Sequence, residues 1–240
     1  MVSNRLLSLN QENKPVYVRS LFNKIAPIYD LLNDIMSLGL HKGWKKQAIQ
    51  SLGIKNGNNV LDLCCGSGDI SALILSDFTD DVVINAVDFS DEMLSIAKAK
   101  HGSFSNIIFT QADALSLPFE DHSFDNVIIS FGLRNLASIE SGYKEIYRVL
   151  KPGGCFVNLD FGKPSFFLIN IIFNVYFSFF VPILAKIFNN YSEYVYLSDS
   201  IKLFPAPGRL VVMMQEAGFV KVFNKSLFSG FVAFQTGYKT

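Results

Sequence analysis

The chain has 240 residues, with 21 basic and 21 acidic side chains and a formal net charge of zero. That balance leaves no basic excess to follow a phosphate backbone, so nucleic acid is not an expected partner. Half of the residues are hydrophobic, 23 of them phenylalanine, and only 18% are charged, which points to a lipid-like ligand or a membrane surface.

The length suits a single domain, 1–240, with a core large enough to be stable alone. The three cysteines are Cys64, Cys65 and Cys155, with no CxxC pair. Neither a disulfide framework nor a metal site is expected, and a reducing cytoplasm fits. Cys64 and Cys65 read as small residues in a tight turn. The first residues carry too short an apolar run for a signal peptide.

Residues 1–14 are polar and expected to be loose. Val16–Asp30 reads as a helix whose apolar face is Val18, Leu21, Phe22, Ile25 and Ile28, with Pro27 ending or kinking it. Residues 29–52 continue as one or two helices, broken near Gly39 and Gly43. A helical cap over 15–52 would lie across a ligand site. Tyr29, Asp30, Asn33, His41 and Trp44 are then candidates for its mouth or else helix–helix contacts or caps, with Tyr29 and His41 the candidate substrate residues and Trp44 read as packing.

The centre of the chain is Val60–Ile70, VLDLCCGSGDI. A short apolar strand, 60–63, runs into Gly66-Ser67-Gly68, and a helix follows over 70–77. Strand, glycine turn and helix bring backbone against a nucleotide, or make only a tight connection. The next strand, 82–87, ends at Asp88, where a carboxylate reaches ribose hydroxyls. Ser90-Asp91-Glu92 starts a helix over 91–100. Strand 107–110 leads to Asp113-Ala114, which reads as an adenine contact or as a turn-forming Asx. Strand 124–130 ends at Ser130, and Arg134-Asn135 follow directly.

A helix over 139–150, a stop and turn at Lys151-Pro152-Gly153-Gly154, and a strand over 154–161 complete the alternation expected of a doubly wound parallel sheet. Ser165–Ala185 carries no charge. Its length approaches a bilayer span, yet Asn170, Asn174 and Ser178 share one helical face and Pro182 interrupts it. The stretch reads as a lid or membrane-surface helix, within an insertion over 165–203, rather than a span or a core helix. Tyr191–Leu203 and Arg209–Ala217 read as helices, and 219–224 with 227–234 as a closing antiparallel pair.

The glycine turn lacks the GxxxxGK[ST] lysine of triphosphate sites and lacks a full GxGxxG, since position 71 is serine. Asp62 and Asp69 flank the turn. Negative charge there suits a sulfonium or an amino group better than a pyrophosphate, which favours S-adenosylmethionine over NAD or ATP.

The stretches LDLCCGSGD, VDFS at 87–90, QADALSLPF at 111–119 and SFDNVIISFGLRNL at 123–136 resemble class I methyltransferases. Together with YDLLNDIMSLGLHKGWK at 29–45, YRVLKPGG at 147–154, MMQEAGF at 213–219 and GYK at 237–239, they are similar more narrowly to the family that C-methylates menaquinone and ubiquinone precursors. The resemblance runs from about Val18 to the end. It implies a Rossmann-like, seven-stranded, mostly parallel sheet with an antiparallel last strand, and S-adenosylmethionine as cofactor.

Gly66, Ser67 and Gly68 would face the methionine part, Asp88 the ribose, Asp113 and Ala114 the adenine, and Ser130 the methyl side. Arg134 and Asn135 would be catalytic. Arginine is too basic to remove a proton but stabilises a phenolate, and Asn135 can position the ring oxygen. Asp160, where the family has glutamate, ends the fifth strand as a candidate substrate residue or base, and Gly162 stands in place of a serine.

The implied substrate is a prenylated quinol, a demethylmenaquinol, demethylphylloquinol or ubiquinone precursor, met at a membrane surface by a peripherally attached cytoplasmic protein. A homodimer or a quinone-synthesis complex is a further expectation. The other readings are methylation of a different lipid, and a catalytically silent scaffold.

Overall fold

The computed structural model describes residues 12–78, 81–164, 171, 175–176 and 191–240. The charge-free 165–185 stretch therefore lies outside the described residues, apart from Ile171, Val175 and Tyr176.

Seven strands form one sheet: β1 Asn59–Leu63, β2 Val83–Asp88, β3 Ile107–Gln111, β4 Phe124–Ser130, β5 Leu150–Phe161, β6 Val220–Leu227 and β7 Val232–Tyr238. Their order is β3-β2-β1-β4-β5-β7-β6. The first five run parallel; β7 is antiparallel to β5, and β6 is antiparallel to β7. The chain reverses its direction of growth between β1 and β4. In a sheet of this kind that switch point opens a crevice at the carboxyl ends of the strands.

Among the described residues the helices are α1 Lys14–Ile25, α2 Tyr29–Ser37, α3 His41–Ser51, α4 Asp69–Asp77, α5 Asp91–His101, α6 Ile139–Val149, α7 Tyr191–Leu203 and α8 Pro207–Glu216. Strand side chains alternate between two cores. Val60 and Ile128 pack with Ala48 and Ile49 of α3 and Ile70 and Ile74 of α4. Leu61, Leu63, Val127 and Ile129 pack with Tyr143 and Ile146 of α6 and Leu210 and Met213 of α8. Burial on both faces explains why these strands read as near-continuous apolar runs.

The apolar face expected on the first helix is present. Leu21 and Ile25 pack with Met93 of α5 and Tyr196 of α7, which seats α1 across the sheet edge. Pro27 falls in a short 3-10 turn, 26–28, between α1 and α2. Ser90 caps α5 by accepting from Met93 N at 3.1 Å.

Several boundaries depart from the expectations. The break after α2 falls at Leu38–Leu40, while Gly43 lies inside α3. Lys151–Gly154 is not a stop before the fifth strand but part of β5. Pairing moves from Phe124↔Leu150 to Asn126↔Cys155, so the extra residues bulge out of the ladder. The closing pair is 220–227 with 232–238, because β7 takes its register from β5, Leu159 opposite Phe234 and Phe161 opposite Val232. Phe228–Gly230 is the intervening turn.

A Cβ at Gly162 would lie 2.3 Å from the Gly230 carbonyl oxygen of that turn. The serine usual in the resembling family does not fit here. Gly162→Ala is expected to cost about 2 kcal/mol through forced overpacking, read as a lower urea midpoint with an unchanged slope; an unchanged midpoint would show that the two segments separate freely.

Candidate functional site

Two cavities adjoin at the carboxyl edge of β1, β2 and β4. The smaller, about 90 Å³, is bounded by Gly66 after β1, Asp88 at the end of β2, Asp113 and Ala114 after β3, and Ser130 at the end of β4, with Val18 of α1 as part of its cover. The larger, about 800 Å³ and mostly apolar, lies between α1, α2, α3, α7 and the 228–231 turn. Phe22, Tyr29 and Phe131 line both. Arg134 faces the larger cavity and its neighbour Asn135 the smaller.

Asp88 accepts from Gly66 N and from Ser90 N, each at 2.8 Å, so one carboxylate ties the glycine turn to the end of β2. Burial raises its pKa, and these backbone donors oppose the rise. Asp113 accepts from Leu115 N at 2.9 Å, the Asx geometry of a turn, while still lining the cavity. Ser130 Oγ is buried and has no hydrogen-bond partner among the described residues. Of the glycine turn, only Gly66 lines the cavity. Ser67 Oγ donates to Asp30 at 2.6 Å, and a Cβ at Gly68 would sit 2.9 Å from the His101 ring.

The two flanking carboxylates are placed otherwise than the charge argument required, for neither lines a cavity. Asp62 accepts from Ser71 N at 3.1 Å and Ser71 Oγ at 2.6 Å, and its burial raises its pKa to about 7. Burial pushes the Asp69 carboxyl up as well, but Lys45 at 3.0 Å and Lys100 at 3.4 Å outweigh it and hold the pKa at about 2. Lys100 also pairs with Asp30 at 2.7 Å, so Asp30 belongs to this ion network and not to the cavity mouth. Cys64 and Cys65 are free thiols that burial and nearby carboxylates keep protonated, as small turn residues would be.

Arg134 donates from Nη1 to Asp160 Oδ1 at 3.0 Å and to the Phe131 carbonyl. The pair is buried, with side chains 7% and 1% exposed. Burial raises the Asp160 pKa and the guanidinium opposes the rise. Asp160 lines neither cavity, so the expectation that it meets substrate or takes its proton is corrected: it stands behind Arg134 and aims it.

Asn135 is held from two sides. Its Nδ2 donates to the Phe131 carbonyl at 3.3 Å, and its Oδ1 accepts from Tyr196 OH at 3.1 Å. Lys14 Nζ donates to the carbonyls of Arg134 at 3.2 Å and Leu136 at 2.5 Å. Burial, then Arg134, lower its pKa to about 8. Lys14 and Tyr196 were invisible in the sequence because each reaches the loop from far along the chain. Lys14 also shows that the end of the expected loose N-terminus is docked.

Tyr29 bridges the two cavities, and burial raises its phenol pKa. His41 lines the larger one, with Nε2 2.9 Å from Asp34 Oδ1; burial lowers its pKa, which favours the neutral ring. Asn33 lines the same cavity, and Trp44 does so while packing 6.1 Å from the Phe228 ring.

A seven-stranded sheet of this order, with its crevice at the switch point and a carboxylate closing β2, is the Rossmann-like fold of the methyltransferase class. Residues 9–239 match the ubiE/COQ5 methyltransferase family, and the chain belongs to that family. It is 38% identical over 231 residues to the demethylmenaquinone methyltransferase of Staphylococcus aureus strain JH9, covering 96% of this chain and 95% of that protein. The same figures hold for the Staphylococcus aureus strain Newman protein.

Among solved structures, a Thermotoga maritima S-adenosylmethionine-dependent methyltransferase, described as a possible histamine N-methyltransferase, superposes with a TM-score of 0.66 at 19% identity, covering 93% of this chain and all of that one. Haemonchus contortus phosphoethanolamine N-methyltransferase 2, in complex with S-adenosyl-L-methionine, does so at 0.63 and 16%, covering 82% of this chain and 52% of that one. At those identities the structural likeness speaks for the fold alone. Among the described residues no helix is long and apolar enough to cross a membrane.

Proposed function

We propose that this methyltransferase acts on a ring carbon of a prenylated quinol, in the first instance a demethylmenaquinol, while attached peripherally to a membrane. The observation that carries the reading is the junction of a small crevice holding Asp88 and Asp113 with an apolar cavity of about 800 Å³ at Tyr29 and Phe131. A quinol ring placed at that junction has its isoprenoid tail in the larger space. The name of the Staphylococcus aureus relatives favours a naphthoquinol over a benzoquinol.

The residues around the crevice fit S-adenosylmethionine, which when bound supplies a methyl group on a cationic sulfur. Asp88 offers carboxylate oxygens at the strand end where ribose hydroxyls are held. Asp113 and Ala114 flank the space an adenine would take, Gly66 allows close backbone approach, and the unpartnered Ser130 Oγ is free to bond a ligand. Ser67 and Gly68 act one step back, shaping the turn. At about 90 Å³ the crevice is below the ~300 Å³ of ordinary ligand pockets, so a molecule the size of S-adenosylmethionine would need the surrounding side chains to give way.

A phenolic ring carbon becomes nucleophilic as its hydroxyl loses a proton. Arg134, fixed by Asp160, holds positive charge against the developing phenolate in a mostly apolar cavity. Asn135, pinned by Tyr196, orients the ring oxygen. Helices α1 to α3 form the cap that keeps water from the reacting atoms.

Mass-spectrometric quinone profiling of cells lacking the chain tests the reading. Accumulation of a demethylated naphthoquinone, reversed by the wild-type chain, is expected; an unchanged quinone profile would overturn it.

A further inference from the structure

Leu38 and Phe228 share two properties. Each is a large apolar residue held at positive φ, 51° and 44° respectively. Each is also exposed, by 83% and 58%. Bulky side chains are outliers in left-handed backbone, where glycine or asparagine is the ordinary choice. Two turns that needed only to change direction would not carry leucine and phenylalanine at those positions.

Both residues stand at the mouth of the larger cavity. Leu40, Ile171 and Val175, exposed as well, continue the same rim. Trp44, a turn of helix beyond Leu40, has its ring 6.1 Å from that of Phe228, and Trp is the side chain most at home where hydrocarbon meets headgroups. A lysine stands beside each tip. Lys42, at the start of α3, is exposed and shared with Asp34 at 2.9 Å. Lys163 is exposed beside the second turn, its carbonyl 3.4 Å from where a Cβ on Gly230 would lie, and it has no ion-pair partner among the described residues.

We propose that the face bearing Leu38 and Phe228 docks on an anionic lipid bilayer, with those two side chains entering the acyl boundary so that the large cavity opens directly against the membrane. Apolar tips flanked by lysines match a surface whose headgroups are negative and whose interior is hydrocarbon. The proposal deepens the reading of that cavity as the place for a lipid-tailed substrate, and it makes the strained turns the anchors that align cavity and membrane.

The test is sedimentation of the full chain with vesicles of phosphatidylcholine containing one-third phosphatidylglycerol and no quinone. The wild type is expected to pellet with the vesicles. The Leu38→Asn/Phe228→Asn double variant is expected to bind them at least about tenfold more weakly. Asparagine accepts left-handed backbone, so the double variant should melt no lower than the wild type and bind S-adenosylmethionine with the same affinity. A wild type that ignores the vesicles, or a double variant that binds them equally, overturns the proposal. So does velocity sedimentation showing that the wild type self-associates through this face while ignoring vesicles. With no quinone present, a wrong substrate assignment leaves the result standing, and a failed docking leaves that assignment untouched.

Discussion

Asp88→Ala is expected to weaken S-adenosylmethionine binding by about tenfold to a hundredfold, since a hydrogen bond to a charged group contributes roughly 1.5–3 kcal/mol. Isothermal titration reads it directly. The carboxylate has two tasks, because its oxygens also accept from Gly66 N and Ser90 N. Alanine leaves both amides without that partner, so the glycine turn loosens as a ligand contact disappears. Asp88→Asn separates the two tasks. It keeps one carbonyl acceptor for the backbone but loses the charge and half of the acceptor capacity. A smaller loss of melting temperature with a similar loss of affinity is the expected pattern. Unchanged affinity in both variants would remove Asp88 from the cofactor site.

Arg134→Met is expected to lower turnover by about a hundredfold or more, in line with removal of one preorganised charge donor from a closed site. S-adenosylmethionine affinity should stay within about threefold, because the guanidinium faces the larger cavity and not the crevice. The same change strands Asp160, which is 1% exposed. Leaving a buried carboxylate unpaired costs about 3–5 kcal/mol, so the single variant should unfold at lower urea. Adding Asp160→Asn removes the stranded charge while keeping an acceptor for Phe161 N, which Asp160 binds at 2.8 Å. The double variant should therefore regain much of the stability and none of the turnover. A double variant that regains turnover would show that Arg134 serves only to neutralise Asp160.

The parts legible in the sequence are those written in consecutive residues. A strand that ends in a carboxylate, or a glycine turn that opens a helix, declares itself over a few positions, so β1, β2 and the place of Asp88 could be read directly. The direction a side chain takes is a different matter. Asp62 and Asp69 sit beside the turn in sequence, yet the pleat of β1 carries Asp62 toward Ser71, and two lysines from α3 and α5 draw Asp69 away from the crevice.

Contacts made across the fold leave still less trace. Nothing near Lys14 says that its ammonium will meet carbonyls 120 and 122 residues onward. The closing strands slipped for a related reason. Phe231 and Phe228 look like strand residues, but pairing with β5 settles which residues β7 contains.

The ion network around Asp30, Ser67, Asp69, Lys45 and Lys100 ties α2, α3 and α5 to the glycine turn and the start of α4. The half-exposed Lys100 contacts hold position at little cost to undo, whereas the Lys45–Asp69 pair is largely buried. The fastening is thus graded: α2 and α5 meet the turn through contacts that yield readily, while α3 keeps its grip.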